Sequence, residues 1–280
     1  MGIETLSFGY GLVEGPRWAP DGSLYFTDVR NGGVRRLTAA GALELVVPKR
    51  RGVGGVALHA DGGVVVSGRN VCHVRDGVTR VLYERDDVGG FNDLFTDGRG
   101  RVYVGSLRDD PFSVGENRRT GDAYRIDGEG SAVTLYDGVS LSNGIGFSPG
   151  GDVLYHVDTP VGVWAHDVDA AGDVVAGSRR VFAVLERGRA DGLAVDTEGG
   201  VWVASIEAGV TRLRPDGAFD RRIEVPSRFV TSLCFAGPGL DELIVVTADN
   251  TEDPSRKGTV FRLSADLVGA VGLPAPLARI

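Results

Sequence analysis

Six segments of the chain share one pattern: a short apolar run, a polar turn containing glycine, and a second apolar run. They read VEGPRWAPDGSLYF, GGVALHADGGVVVS, FNDLFTDGRGRVYV, SNGIGFSPGGDVLY, ADGLAVDTEGGVWV and VTSLCFAGPGLDELIVV. In each, eight residues separate a start position from a turn glycine: Glu14 to Gly22, Gly54 to Gly62, Asn92 to Gly100, Asn143 to Gly151, Asp191 to Gly199 and Thr231 to Gly239. Four residues after the start stand Trp18, Leu58, Thr96, Phe147, Val195 and Phe235, apolar in five of the six. The starts recur at intervals of 40, 38, 51, 48 and 40 residues. Each unit predicts a strand, a tight turn where glycine tolerates φ > 0, and a second strand such as Leu24–Phe26 or Val201–Val203. Further β-type runs follow at Val34–Leu37, Val78–Tyr83, Ala123–Ile126, Val161–His166 and Val210–Leu213. No segment sustains a 3.6-residue apolar period over three turns, so long helices are not expected.

Four short strands in 40–50 residues make one propeller blade. The expected fold is therefore all-β: a six-bladed β-propeller with four-stranded blades around a central channel, forming a single domain over residues 1–280. The last repeat offers Thr259–Leu263 as a late strand before a proline-containing tail, so the N-terminal run Ile3–Phe8 is expected to complete the final blade. Composition agrees, with 43 glycines in 280 residues arguing against a mostly helical chain. The formal net charge is −8, and the densest basic stretch, Lys49–Arg51, is short, so neither nucleic acid nor an anionic membrane is an expected partner. Two cysteines make no disulfide framework. No apolar run approaches the ~20 residues of a membrane helix, and no signal peptide is evident. A cytoplasmic protein acting on a small molecule is the expectation.

Rotation about the channel brings equivalent positions of a propeller together. If the first strand of each repeat is innermost, the six starts gather near one mouth: Glu14, Gly54, Asn92, Asn143, Asp191 and Thr231. Two carboxylates meeting in a narrow channel repel and lose hydration, and a divalent cation offsets both effects. Oxygen-only donors suit Ca²⁺ best, then Mg²⁺ or Mn²⁺, with Zn²⁺ and Fe²⁺ further candidates. None of His59, His73, His156 or His166 falls at a start, so a tetrahedral structural zinc site is not expected. Asn-Gly and Asp-Gly pairs are also turn formers, a reading that fits Asn143-Gly144 and Asp191-Gly192 better than Glu14 or Asn92.

Glu14-Gly15-Pro16-Arg17-Trp18, Phe91-Asn92-Asp93, Ser142-Asn143-Gly144-Ile145 and Ala190-Asp191-Gly192-Leu193 resemble, in order, the four motifs of the senescence marker protein-30/gluconolactonase/luciferin-regenerating-enzyme-like family. The resemblance implies a six-bladed propeller with one divalent cation in its channel and hydrolysis of sugar-acid lactones. It makes Glu14, Asn143 and Asp191 metal ligands, places Asn92 beside or on the metal, and makes Asp191 the general base. Family members acting on sugar lactones carry an arginine two residues before the motif asparagine. Here that position is Gly90, which points to a less polar lactone or another ester. Asp109 or Asp110 corresponds loosely to an acidic residue that touches substrate in the family; Asp110, Asn92 and Trp18 are the substrate-contact candidates. The long interval Arg108–Asp122 is read either as a lid over the channel or as a solvated connection.

Cys72 and Cys234 have no base motif beside them, and no GxSxG elbow is present. The leading expectation is a divalent-metal-dependent lactonase. Phosphotriester hydrolysis or a metal-assisted isomerisation or cyclisation on the same site is the alternative, and a non-catalytic binding propeller is the third.

Overall fold

The fold is seen in a computed structural model, which describes residues 2–110, 119–249 and 258–280. An N-terminal strand, β1 (Ile3–Tyr10), precedes the first blade of β2 (Val13–Trp18), β3 (Leu24–Asp28), β4 (Val34–Leu37) and β5 (Leu43–Val47). The second blade is β6 (Val56–Leu58), β7 (Val64–Val66), β8 (Val71–Arg75) and β9 (Val78–Tyr83). The third is β10 (Gly90–Thr96), β11 (Val102–Leu107), β12 (Gly121–Gly128) and β13 (Ser131–Val139). The fourth is β14 (Ser142–Phe147), β15 (Val153–Asp158), β16 (Gly162–Asp167) and β17 (Arg180–Ala183). The fifth is β18 (Arg189–Val195), β19 (Val201–Ile206), β20 (Gly209–Leu213) and β21 (Phe219–Ile223). The sixth sheet has β22 (Val230–Ala236), β23 (Glu242–Thr247), β24 (Gly258–Leu263) and, as its outer strand, β1. β1 runs antiparallel to β24, with Ile3 opposite Leu263 and Tyr10 opposite Gly258, so the two ends of the chain share one blade. One short helix, α1 (Ala265–Val268), follows.

The first strands of the six blades are the innermost. β2, β6, β10, β14, β18 and β22 touch in sequence around the axis, and β22 returns to β2. The second strand of a blade is also covered on both faces, which explains the unbroken apolar run Val64–Val66 of β7. The apolar core is divided into wedges between neighbouring blades. Trp202 and Val210 of the fifth blade pack on Leu233, Val245 and Phe261 of the sixth, while Phe91 and Tyr124 of the third meet Val65 and Val71 of the second. The axis itself is left to other groups.

Five of the six turn glycines behave as their spacing predicts. Gly22, Gly62, Gly100, Gly151 and Gly199 have φ between 73° and 90°, and each donates its N–H to the carbonyl three residues back at 2.9–3.0 Å. The sixth turn departs from this pattern. There Leu240 (φ 53°) donates to Gly237 at 3.1 Å, so the turn is set one residue later and Gly239 is not the left-handed residue. The C-terminal tail then crosses the turn side of the ring. It is bonded to Leu240 and Val195 through Gly272 and Leu273, and to Leu58, Ala60 and Gly100 through Ala278 and Arg279. Among the described residues no helix is long and apolar enough to cross a membrane.

Candidate metal centre at the strand-start mouth

A regular strand alternates its side chains between two faces, so a residue that leaves the alternation needs a local irregularity. Here the inner strands carry β-bulges at or beside the start residues. The register slips between Glu14 and Arg17 in β2, Phe91 and Leu94 in β10, Ser142 and Ile145 in β14, and Ala190 and Leu193 in β18. Each bulge re-aims a polar side chain out of an otherwise apolar strand. Asn143 and Asp191 are buried at 8% and 6% exposure, whereas Glu14 and Asn92 are half-buried.

Hydrogen bonds fix the two amides without ambiguity. Thr159 Oγ1 donates to the Ala190 carbonyl at 2.9 Å, so it accepts from Asn143 Nδ2 at 2.8 Å. The Asn143 oxygen therefore points the other way, where it accepts from Asn92 Nδ2 at 2.6 Å. Asn92 Nδ2 spends its second hydrogen on the Ser142 carbonyl at 2.7 Å, which leaves Asn92 Oδ1 as the free acceptor. Gly54, the start position with no side chain, is explained by the same contact. A Cβ there would lie 2.0 Å from Asn92 Oδ1, so only glycine leaves room for the amide. Thr231 belongs to the framework, because its hydroxyl donates to the Val13 carbonyl at 2.6 Å and ties the sixth blade to the first.

The carboxylates lack balancing charge. Burial raises the Glu14 carboxyl well above the usual carboxylate range, and repulsion from Asp191 and then Asp93 adds to the rise. Asp191 is raised likewise by burial and by Asp93, with Arg189, exposed two residues earlier, opposing the shift. Asp93 was not singled out by its sequence position. It is 6% exposed and lies 3.5 Å from the guanidinium of Arg17, which also donates to the Leu94 carbonyl at 2.6 Å. Arg17 thus pairs with Asp93 alone, and Glu14 and Asp191 have no ion-pair partner among the described residues. The donor set fits a hard divalent cation: two carboxylates, the Asn143 oxygen held in place by Thr159, and the Asn92 oxygen. Among the described residues no three His, Cys, Asp or Glu side chains cluster as ligands, so the amides carry as much of the fit as the acids.

The remaining candidates lie elsewhere. Trp18 stands four residues beyond Glu14, about 13 Å along an extended strand, and lines a cavity at the opposite mouth of the channel. Proximity in sequence suggested a place beside Glu14; the strand direction carries it away. Asp110 is exposed just past β11, and its neighbour Asp109 is paired with Arg119 at 2.7 Å. The centre of the expected lid, residues 111–118, falls outside the described residues. Gly90 is buried with its Cα against backbone, and a Cβ would sit 2.9 Å from the Gly68 carbonyl. Cys72 and Cys234 are buried free thiols that burial pushes up, Cys234 to about 12.

Ser142 Oγ bonds His156 Nε2 at 2.7 Å, and His156 Nδ1 bonds the Tyr136 hydroxyl at 2.7 Å. His156 is fully buried, and desolvation holds it down at about 3. This chain of bonds secures the strand that carries Asn143.

Known proteins resemble the chain over nearly its full length. It is 31% identical to pentonolactonase XacC of Haloferax volcanii, covering 94% of this chain and 93% of that one. It is 30% identical to 6-deoxy-6-sulfogluconolactonase of Pseudomonas putida, covering 92% of each. The crystal structure of a calcium-binding protein, regucalcin, from Agrobacterium tumefaciens superposes with a TM-score of 0.86 at 25% identity, over 100% of this chain and 98% of that one. The profile of the SMP-30/Gluconolactonase/LRE-like region matches residues 12–249, and the chain belongs to that family.

Proposed function

We propose that the protein is a divalent-cation-dependent lactonase with Asp191 as its general base. The observation that carries this reading is the strand-start mouth, where Glu14, Asp191, Asn143 and Asn92 offer oxygen donors and excess negative charge. The lactonase relatives support the class of reaction. A bound Ca²⁺, or a similar hard cation, supplies Lewis acidity toward a carbonyl oxygen, an effect worth several kcal/mol.

The chain's own residues do the rest. Glu14 and Asp191 supply the charge that holds the cation, and Thr159 keeps the Asn143 oxygen turned toward it. Asp191 takes a proton from the attacking water, whose oxygen bonds to the lactone carbonyl carbon. The ring C–O bond then breaks, and the proton passes to the departing alkoxide to give the hydroxy acid. Base catalysis of this kind contributes roughly 10²–10⁴ in rate. Gly90, with no guanidinium and no space for one, favours lactones less polar than a sugar lactone.

Chelator-treated protein would be assayed by pH-stat on a panel of sugar and aliphatic lactones, with Ca²⁺, Mg²⁺ or Mn²⁺ restored in turn. Turnover that vanishes with chelator and returns with a hard cation is expected. Full turnover without cation would overturn the metal dependence. Tight cation binding with no lactone hydrolysis would move the reaction to another ester, a phosphotriester included.

A further inference from the structure

A large cavity lies at the other end of the channel. It encloses about 850 Å³, in the range of small-molecule sites (roughly 300–1,000 Å³). The C-terminal halves of the inner strands line it with Trp18, Phe95, Phe147, Leu193, Leu233 and Phe235. Its outer wall is the tail segment 273–276, Leu-Pro-Ala-Pro. That tail is bonded to the fifth and sixth blades before the segment and to the second and third blades after it. It therefore bridges the mouth, and its two prolines carry no N–H to tie it down midway.

Polar groups on the wall are few, and most are engaged. Arg17 is held by the Pro16 and Leu94 carbonyls and by Asp93. Asp97 on the rim is paired with Arg101 at 2.6 Å. The Cys234 thiol is pushed up to about 12 and stays uncharged. Thr96 lies along the wall too, but its hydroxyl is covered by protein and offers no group to a ligand in the cavity.

We infer that this cavity is a second ligand site, separate from the strand-start mouth, for a neutral, apolar, ring-bearing molecule. The charged side chains Arg99 and Asp169 stand at the exposed rim, held by the Ala170 carbonyl and by the Ala171 and Asp173 amides, whereas aromatic faces line much of the interior. The site needs no cation and no catalysis.

N-Phenyl-1-naphthylamine is a suitable probe, being neutral, apolar and aromatic. Fluorescence titration of the intact protein is expected to saturate at one probe per chain with a Kd below about 100 μM. Trp18 emission should fall in parallel, and the quenching should disappear in Trp18→Phe. Leu58→Trp fills the cavity from one wall and should raise Kd at least about tenfold. Ala194→Trp fills it from the far wall and replaces Leu58→Trp if circular dichroism shows that variant unfolded. Absence of saturable binding to the wild type overturns the inference. So does binding undiminished in the folded cavity-filling variants, because the dye would then be sitting on the outer surface.

Discussion

The two mouths of the channel are built from the same six strands and share almost no chemistry. Where the strands begin, bulges turn Glu14, Asn92, Asn143 and Asp191 out of the alternation, and their charges stay largely unbalanced. Where the strands end, the alternation is regular, the side chains are aromatic or aliphatic, and the one buried cation, Arg17, is already satisfied. The difference shows how a propeller separates tasks along its axis. The wedges between blades supply stability, which leaves each mouth free to collect groups that a conventional core would reject. In the proposed function the charge deficit at one end selects a cation, and in the proposed second site the apolar void at the other selects a neutral molecule.

The sharpest way to break the comparison is at Asp191. Asp191→Asn keeps an oxygen donor but removes the base, and lactone turnover is expected to fall by roughly 10²–10⁴ with cation still bound by calorimetry. Near-wild-type turnover would remove Asp191 from the chemistry. Gly54→Ala tests whether the Asn92 amide must sit where it does. The added methyl overlaps Asn92 Oδ1, and displacing a positioned group by about 1 Å costs on the order of 10²-fold in kcat. Unchanged kcat in a folded Gly54→Ala protein would show that Asn92 has no positional role.

A smaller effect belongs to Thr159, which touches the site only through Asn143. Thr159→Val frees the amide to flip and should weaken cation affinity about 10–100-fold, the usual range for groups that orient a ligand. Thr159→Ser, which restores the hydroxyl, should recover most of it. Equal affinity in the valine and serine variants would mean that the amide is held by Asn92 alone.

Much of this molecule is legible in its sequence, for a physical reason. A turn glycine at a fixed offset from an apolar strand is a local feature, and six copies reveal the blade and its count. The last turn, set one residue later at Gly237–Leu240, escapes because Gly239 keeps the spacing by coincidence. The start residues are visible because they repeat. Asp93, Arg17 and Thr159 are hidden because their partners lie on other strands or blades, up to 77 residues away for Arg17 and Leu94. Gly54 is silent in sequence, since its meaning is the space it leaves. Trp18 misleads for the opposite reason: neighbours in sequence end at opposite mouths when the strand between them runs along the axis.

The mildest test concerns the histidines behind the two mouths. In the turn half, His59 and His73 stack with centroids 3.9 Å apart, and each donates its Nε2–H to a main-chain oxygen, of Ile280 and Gly62 respectively. Behind the strand-start mouth, His156 is enclosed by Ser142, Tyr136 and His166, with Arg179 adding its positive charge. Burial holds His156 at about 3, against about 6.5 in an unfolded chain. Between those values the unfolded chain binds a proton that the native state refuses, so stability falls as pH drops below 6.5. At pH 5 the loss from His156 is about 2 kcal/mol, at 1.36 kcal/mol per pH unit. Urea unfolding at pH 7 and pH 5, with saturating cation to keep Glu14 and Asp191 ionised, should show that extra loss in the wild type and not in His156→Gln. Equal losses in the two proteins would mean that His156 takes up a proton while folded, and that the strand carrying Asn143 is held less tightly than its hydrogen bonds indicate.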